Sequence, residues 1–184
     1  PMVLTARLQK HKDPNCRVCF VGPCAAKKLE ASRRSVRSNV DFVLTFEELQ
    51  GMFEAKGVNF ADIPKEEEVP LSEATGAGRG FAVTGGVANA VVEAIKRIDP
   101  DREVKVVSAE GLDNCRKMLM AARSGKYNGY LLEGMACPGG CVAGAGTIQP
   151  IAKTAAAIGR YKQSADQQNA MDSRYEFVLP ELEE

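Results

Sequence analysis

Short apolar runs alternate with helix-forming stretches along most of the chain. The runs have the length and the β-branched or aromatic residues of buried strands: RVCFV at 17–21, FVL at 42–44, VKVVSA at 104–109 and YLL at 130–132. Helical patterns lie between and around them, at residues 1–15, 25–34, 45–57, 87–98 and 112–123, and the Ala-rich stretch 148–160 is helical after Pro150. Strands that alternate with helices predict an α/β fold, with short and mainly parallel sheets flanked by helices.

Local signals mark several helix ends. Asp13-Pro14 ends the first helix and Asp99-Pro100 ends the fourth, because proline cannot continue the hydrogen-bond ladder. Thr45 and Glu48 have the spacing of a capping box. Gly85-Gly86 opens a helix, but the spacing G-x-G-x-x-G is missing, so this turn does not predict a dinucleotide site.

The stretch LLEGMACPGGCVAGAGT at 131–147 carries the clearest chemistry. Cys137 and Cys141 have three residues between them, and glycines surround both. Thiolates are soft ligands for zinc or for iron–sulfur iron. A zinc ribbon usually has two residues between paired cysteines, and glycine allows the backbone to approach a bulky group, so we favour an iron–sulfur cluster.

A third cysteine occupies a comparable place. Cys24 follows the first predicted strand at the turn into a helix, where backbone N–H groups and the helix dipole favour a thiolate. Ligands of parallel α/β folds sit at the carboxyl ends of strands, so Cys24 and the loop with Cys137 and Cys141 both occupy ligand-binding positions.

Composition limits the partners. The 184 residues are 45% hydrophobic, with 24 Lys+Arg against 24 Asp+Glu, which fits one domain or two small lobes with a real core. The neutral balance gives no reason to expect nucleic acid, and no apolar run reaches the roughly 18–20 residues of a membrane span. The start at Pro1 without a methionine suggests a processed or excised end.

The remaining thiols and the imidazole receive simpler interpretations. Six cysteines in ligand-like clusters of a chain this long favour a reduced, cytoplasmic setting. His11 is expected in solvent and Cys115 as a small buried hydrophobic residue. Cys16 and Cys19 form a C-x-x-C, which binds zinc, carries redox chemistry or supplies cluster ligands in other proteins, although Cys19 within a strand also fits a core position.

Two segments resemble signatures of the iron-only ([FeFe]) hydrogenase catalytic domain. GPCAAKKLE at 22–30 is similar to the family's second signature, P-C-x-x-K-x-x-E, and EGMACPGGC at 133–141 is similar to the third, E-x-M-A-C-x-x-G-C. DFVLTFEE at 41–48, SEATG at 72–76 and TGGV at 84–87 also resemble this family. The resemblance implies part of the two-lobed iron-only hydrogenase fold, which we assign to residues 1–160, followed by a C-terminal tail at 161–184.

The family binds the H-cluster, a [4Fe-4S] cubane joined through a cysteine sulfur to a two-iron subsite with CO, cyanide and a dithiolate amine. By resemblance, Cys24 and Cys137 ligate the cubane, and Cys141 ligates it and bridges to the two-iron subsite. Lys27 donates a hydrogen bond to a cyanide, and Met135 packs against the two-iron subsite.

The resemblance also implies that Phe81 and Ala82 line the cluster pocket. Glu30 matches the acid of the second signature, while an exposed acid paired with Arg33 or Arg34 explains the same residue equally well. The activity implied is that of a hydrogenase from an anaerobic bacterium, an oxidoreductase that interconverts protons, electrons and H2. Its partners are then H2, protons and a ferredoxin-like or other electron carrier.

The sequence departs from the family pattern in two informative ways. The earlier signature T-S-C-C-P, which supplies the fourth cubane ligand and the proton-relay cysteine, does not occur. We therefore expect a C-terminal fragment of the catalytic domain, inactive alone, with iron–sulfur or sensory domains upstream in the full-length chain. Gly22 replaces the usual methionine, and with Gly134 it resembles the sensory branches of the family.

Two other classes stay open. Relatives of these hydrogenases act without catalysis in iron–sulfur protein assembly, and KKLEASR in the second signature region is similar to theirs. A simple α/β domain with a [4Fe-4S] or zinc site and no hydrogen chemistry is the third interpretation. Cys16 and Cys19 are not assigned to the H-cluster, although they are candidates to replace the missing fourth ligand.

Overall fold

The computed structural model describes residues 1–64, 73–173 and 175, and within them two compact units. Unit 1 is residues 1–70, 144–148 and 178–184; unit 2 is residues 71–143 and 149–177. The acidic run at 66–68, Ser72 of the SEATG segment and the apolar residues 177–179 lie outside the described residues. No helix in the described part is long and apolar enough to cross a membrane.

Unit 1 contains a two-stranded parallel sheet and three helices. The helices are α1 (Met2–Lys12), α2 (Ala26–Ser32) and α3 (Phe46–Ala55), and the strands are β1 (Cys19–Val21) and β2 (Phe42–Leu44). The strands pair with Phe20 opposite Val43. Met2, Ala6, Val36 and Val40 form the buried core, against which the strand side chains pack. The predicted strands and helices of this half are confirmed, with slightly tighter bounds.

The predicted capping box of α3 is confirmed. The Thr45 hydroxyl accepts from the backbone N–H of Glu48, and the Glu48 carboxylate accepts from the backbone N–H of Thr45. The Lys28 ammonium, 2.8 Å from this carboxylate, together with the Thr45 N–H, lowers the pKa of Glu48. The start of α3 is thereby tied to α2.

Unit 2 is built on a longer parallel pair. Strands β3 (Lys105–Glu110) and β4 (Tyr130–Met135) pair with Ser108 opposite Glu133 and Glu110 opposite Met135. Helices α4 (Gly76–Arg79), α5 (Gly86–Ile98), α6 (Leu112–Arg123) and α7 (Ile151–Gln163) complete it, with short 3-10 turns at Gly80–Ala82, Cys141–Ala143 and Ala170–Asp172.

Sequence reasoning differs from unit 2 at several element ends. Strand β4 continues three residues beyond the predicted YLL, because its pairing with β3 persists through Met135. Helix α7, by contrast, begins after Pro150 as predicted. Helix α4 was not predicted, because its sequence GAGR has poor helix propensity; Thr75 caps it by accepting from the Gly78 N–H.

The core contains few large side chains. Its buried apolar members are mostly Ala, Val and Met, and no large side chain among the described residues is fully buried. Leu112 is 74% exposed and Ile98 is 73% exposed. The apolar core of each unit is therefore modest. Polar networks and close packing at glycines contribute correspondingly more to holding each unit together.

One such network anchors the start of the sheet in unit 1. Asp41 accepts from the Lys10 ammonium at 2.8 Å, from the Val18 backbone N–H at 2.7 Å and from the Arg17 guanidinium at 3.0 Å. The hydrogen bond from Lys10 is the largest cause that holds the pKa of Asp41 well below its usual range, followed by those from Val18 and Arg17. The carboxylate joins α1 to the residues before both strands.

We predict that this network makes unit 1 sensitive to acid. A carboxyl whose pKa is lower in the folded chain stabilises folding above its unfolded pKa of about 3.9, and this contribution disappears as pH falls below that value. At pH 6, Asp41→Asn should lower the urea midpoint of unfolding, measured by circular dichroism. The gap in midpoint between this variant and the parent should narrow below about pH 4. The exposed Asp101→Asn is the control; an unchanged gap from pH 6 to pH 3 would contradict the role of Asp41.

Candidate functional site: a cysteine loop after a parallel strand

Strand β4 delivers the two predicted cluster cysteines of unit 2. Met135 is its last residue, Cys137 follows half-buried, and Cys141 is exposed at the start of a 3-10 turn. The Gly140 N–H donates to the Cys137 carbonyl at 3.0 Å, which folds the intervening residues into a tight turn. No disulfide joins any of the six cysteines. One short loop thus presents both thiols.

Two glycines are required for this turn. Gly139 and Gly140 have φ of +93° and +94°, in the left-handed region that side chains disfavour. A Cβ on Gly140 would lie 2.7 Å from the Thr84 nitrogen and 2.8 Å from the Ala82 oxygen. Within unit 2 the bare backbone of Gly140 packs closely on the backbone of residues 82–84. The approach of this loop to a bulky group stays a prediction.

Phe81 and Ala82, predicted to line the cluster pocket, therefore lie beside the cysteine loop. Both are half-buried in the 3-10 turn Gly80–Ala82. The Thr84 N–H donates to the Gly139 carbonyl at 3.3 Å. A Cβ on Gly86 would lie 1.9 Å from the Gly80 oxygen, so glycine is also required where this segment folds onto α5. The structure brings together Met135, the two loop cysteines and the 81–84 segment.

Glu133 has a role that sequence reasoning did not assign. Its side chain is buried, and its carboxylate accepts from the backbone N–H groups of Gly85 at 2.6 Å and of Val87 and Ala88 at 3.1 Å each. These three N–H groups have no acceptor within the helix, because they lie at the start of α5, where the helix dipole also favours negative charge. Glu133 therefore joins the strand before the cysteine loop to the segment that packs on that loop.

Glu110 was also missed. It is the last residue of β3, and its Oε2 accepts from the Gly139 backbone N–H. An acidic residue at the end of a strand is usually solvated, so the sequence gives only a weak signal for this contact. The strand register, in which Glu110 lies opposite Met135, is needed to place Glu110 beside the loop. Carboxylates on both strands thus stabilise the surroundings of the thiols.

Cys115 lies on helix α6, beside β4. It is half-buried rather than buried, and its Sγ donates to the carbonyls of Ala109 at 3.4 Å and Met135 at 3.5 Å. A Cβ on Gly134 would lie 3.3 Å from this sulfur. The glycine of the third signature accommodates the Cys115 thiol, so Cys115 has a packing role.

In unit 1, Cys24 lies where the strand β1 leads into α2, as predicted. It is half-buried, and its carbonyl accepts from the Lys27 N–H at 3.2 Å. The Lys27 ammonium lies 2.5 Å from the Glu30 carboxylate, one turn along the same helix. The alternative pairing of Glu30 with Arg33 or Arg34 is not the one observed.

Two further details of unit 1 bear on the sequence expectations. A Cβ on Gly22 would lie 2.8 Å from the Phe20 ring, so the glycine that replaces the family's methionine makes room for this ring. Cys19 is exposed on β1 and Cys16 is half-buried, which makes the core interpretation of Cys19 wrong.

The donor set suits iron–sulfur iron. Cys137 and Cys141 supply soft thiolates on one loop after β4, and the Gly139–Gly140 turn leaves this loop without bulky side chains. In unit 1, Cys24 likewise follows a strand. In the described part of the chain, no three His, Cys, Asp or Glu side chains are grouped as a ready metal site. The two thiolates of this loop suit a cluster held by cysteine, and Cys24 stays a predicted ligand.

Comparison with known proteins agrees with this chemistry. The family described as "Iron only hydrogenase large subunit, C-terminal domain" matches residues 1–145, so the chain belongs to that family. The NADP-reducing hydrogenase subunit HndD of Solidesulfovibrio fructosivorans is 35% identical, over 70% of this chain and 27% of its own length. A probable cytosolic Fe-S cluster assembly factor of Aedes aegypti is 29% identical, over 71% of this chain and 35% of its own.

Solved structures support the fold. [FeFe]-hydrogenase HydA1 from Chlamydomonas reinhardtii superposes with a TM-score of 0.61 at 19% identity, covering 98% of this chain and 63% of that structure. The predicted α/β hydrogenase fold is confirmed. The chain spans about a third of the length of the curated relatives it matches.

We predict that Gly140→Ala destabilises unit 2 by about 2 kcal/mol, since it adds a disfavoured φ and a clash with the 82–84 backbone. All four tyrosines (127, 130, 161 and 175) lie in unit 2 and there is no tryptophan, so tyrosine fluorescence during urea unfolding reports this unit. Gly159→Ala in α7, where a Cβ meets nothing within 4 Å, should instead stabilise slightly. Equal effects of the two variants would contradict the close packing of Gly140.

Proposed function

We propose that the protein containing this chain holds an H-cluster and interconverts protons, electrons and H2, or senses H2 as a low-activity regulatory homologue. The observation that carries the proposal is the turn of Cys137–Cys141, with both thiols on a glycine loop at the carboxyl end of a strand, in a chain of the iron-only hydrogenase family.

Three thiolates would hold the group. Cys24 and Cys137 would ligate the cubane, and Cys141 would ligate it and bridge to the two-iron subsite. When bound, the group supplies the redox and hydrogen chemistry. Met135, which ends β4 two residues before Cys137, would pack against the two-iron subsite, and Phe81 and Ala82 would help to exclude water from it.

Lys27 and Glu30 would work as a pair. In the structure the ammonium of Lys27 bonds to Glu30, which orients it along one side of α2. An ammonium is a charge-assisted donor suited to an anionic cyanide, and Glu30 would position Lys27 for this contact. The side chain of Lys27 is 28% exposed, so it has room to change partner.

The partners follow from the proposed reaction. We propose H2 and protons as substrates, a ferredoxin-like or other electron carrier as redox partner, and a cytoplasmic location in which thiols stay reduced. Gly22 favours a sensory role over fast turnover, since it replaces the family's methionine.

A second function has its own support. The similarity to a probable cytosolic Fe-S cluster assembly factor extends over 71% of the chain, about the same share as the 70% matched by the hydrogenase subunit. In that case the same cysteines would hold a cubane in a protein without the two-iron subsite, and no CO or cyanide would be bound.

Infrared spectroscopy separates the two functions. We predict that the full-length protein, matured anaerobically with the hydrogenase maturation system, shows CO and cyanide stretching bands, and that Cys141→Ser loses them.

Residues 1–184 alone, which contain no T-S-C-C-P, should show no H2 uptake or evolution.

Cys115→Ser is the matched control, because Cys115 packs against β4 and should leave the bands in place. Iron–sulfur absorption without CO or cyanide bands in the full-length protein would reject the hydrogenase proposal in favour of assembly. Measurable turnover by residues 1–184 would overturn the assignment of the missing cysteines.

A further inference from the structure

The cysteine loop has a support that lies outside both hydrogenase signatures. Glu110 ends β3, and 29 residues along the chain its carboxylate accepts from the backbone N–H of Gly139, halfway between Cys137 and Cys141. Glu110 is half-buried, so this bond is only partly screened by solvent. A carboxylate acceptor makes a stronger hydrogen bond than a neutral one.

The same glycine peptide is held on its opposite side. The Gly139 carbonyl accepts from the Thr84 N–H at 3.3 Å, while Gly140 packs on the backbone of Ala82 and Thr84. Gly139 thus has both its N–H and its carbonyl paired. Glycine has the largest backbone freedom of any residue, so a loop of two glycines needs such external bonds to keep one conformation.

We propose that Glu110 is a positioning residue for the cysteine loop. Its carboxylate fixes the Gly139 peptide, and through it the separation and direction of the Cys137 and Cys141 thiols, before any metal binds. This inference rests on the proposed iron–sulfur function of the loop. Carboxylate oxygen is a harder ligand than iron–sulfur iron favours, which agrees with Glu110 binding the backbone and the cysteines binding the metal.

Hydrogen–deuterium exchange on the metal-free chain tests the proposal. Glu110→Ala should raise exchange in a peptide covering residues 136–144 about tenfold, because a bond to a charged acceptor is lost. Glu110→Gln retains an amide oxygen that accepts from Gly139, so it should restore most of the protection. Glu103→Gln, which changes an exposed acid just before β3, is the matched control and should leave exchange unchanged.

Two results would overturn the proposal. Unchanged exchange at 136–144 in Glu110→Ala would show that the loop does not depend on this carboxylate. Equal acceleration in that peptide and in α6 would show that Glu110 stabilises unit 2 generally and does not position the loop. Because no metal is present, neither result depends on whether the protein binds an H-cluster.

Discussion

The burial of one carboxylate determines how unit 2 is assembled. Glu133 lies on a parallel strand with 7% of its surface exposed, and a charge so buried is costly unless its oxygens accept hydrogen bonds. Three backbone N–H groups at the start of α5 donate these hydrogen bonds. They reach the carboxylate only when β4, the Gly85 turn and α5 take one arrangement. Thr84, which precedes that turn, is then in place to bond the cysteine loop.

Contacts within unit 2 consequently hold the loop in one conformation. Backbone bonds, two left-handed glycines and the carboxylate of Glu110 set its shape in a unit with few large buried side chains. A loop already shaped for its ligand loses less conformational entropy on binding, so preformed thiols favour capture of a cluster. The proposed iron–sulfur function and the modest core are linked in this way, because the stabilising interactions are concentrated around the site.

The sequence predicts the elements well where periodicity and caps agree, as in the Thr45 capping box and the bounds of α6. It also places Cys24 and the Cys137–Cys141 loop directly after strands, where the structure has them, while their role as cluster ligands stays a prediction. Helix α4 was missed, since tertiary contacts stabilise a helix that its glycines disfavour. The contact of Glu110 depends on the register between β3 and β4, and the role of Glu133 depends on which helix end faces β4. Local sequence patterns contain neither kind of information.

The free energy of unfolding of Glu133→Gln, measured by tyrosine fluorescence in urea, tests most directly whether the Glu133 carboxylate holds unit 2 together. An amide of the same shape keeps one acceptor oxygen but turns an NH2 group toward backbone donors, so we predict a loss of about 2–3 kcal/mol in unit 2. The exposed Glu103→Gln should change it by less than about 0.5 kcal/mol. A similarly small change in Glu133→Gln would contradict the claim that this carboxylate holds β4, α5 and the cysteine loop together.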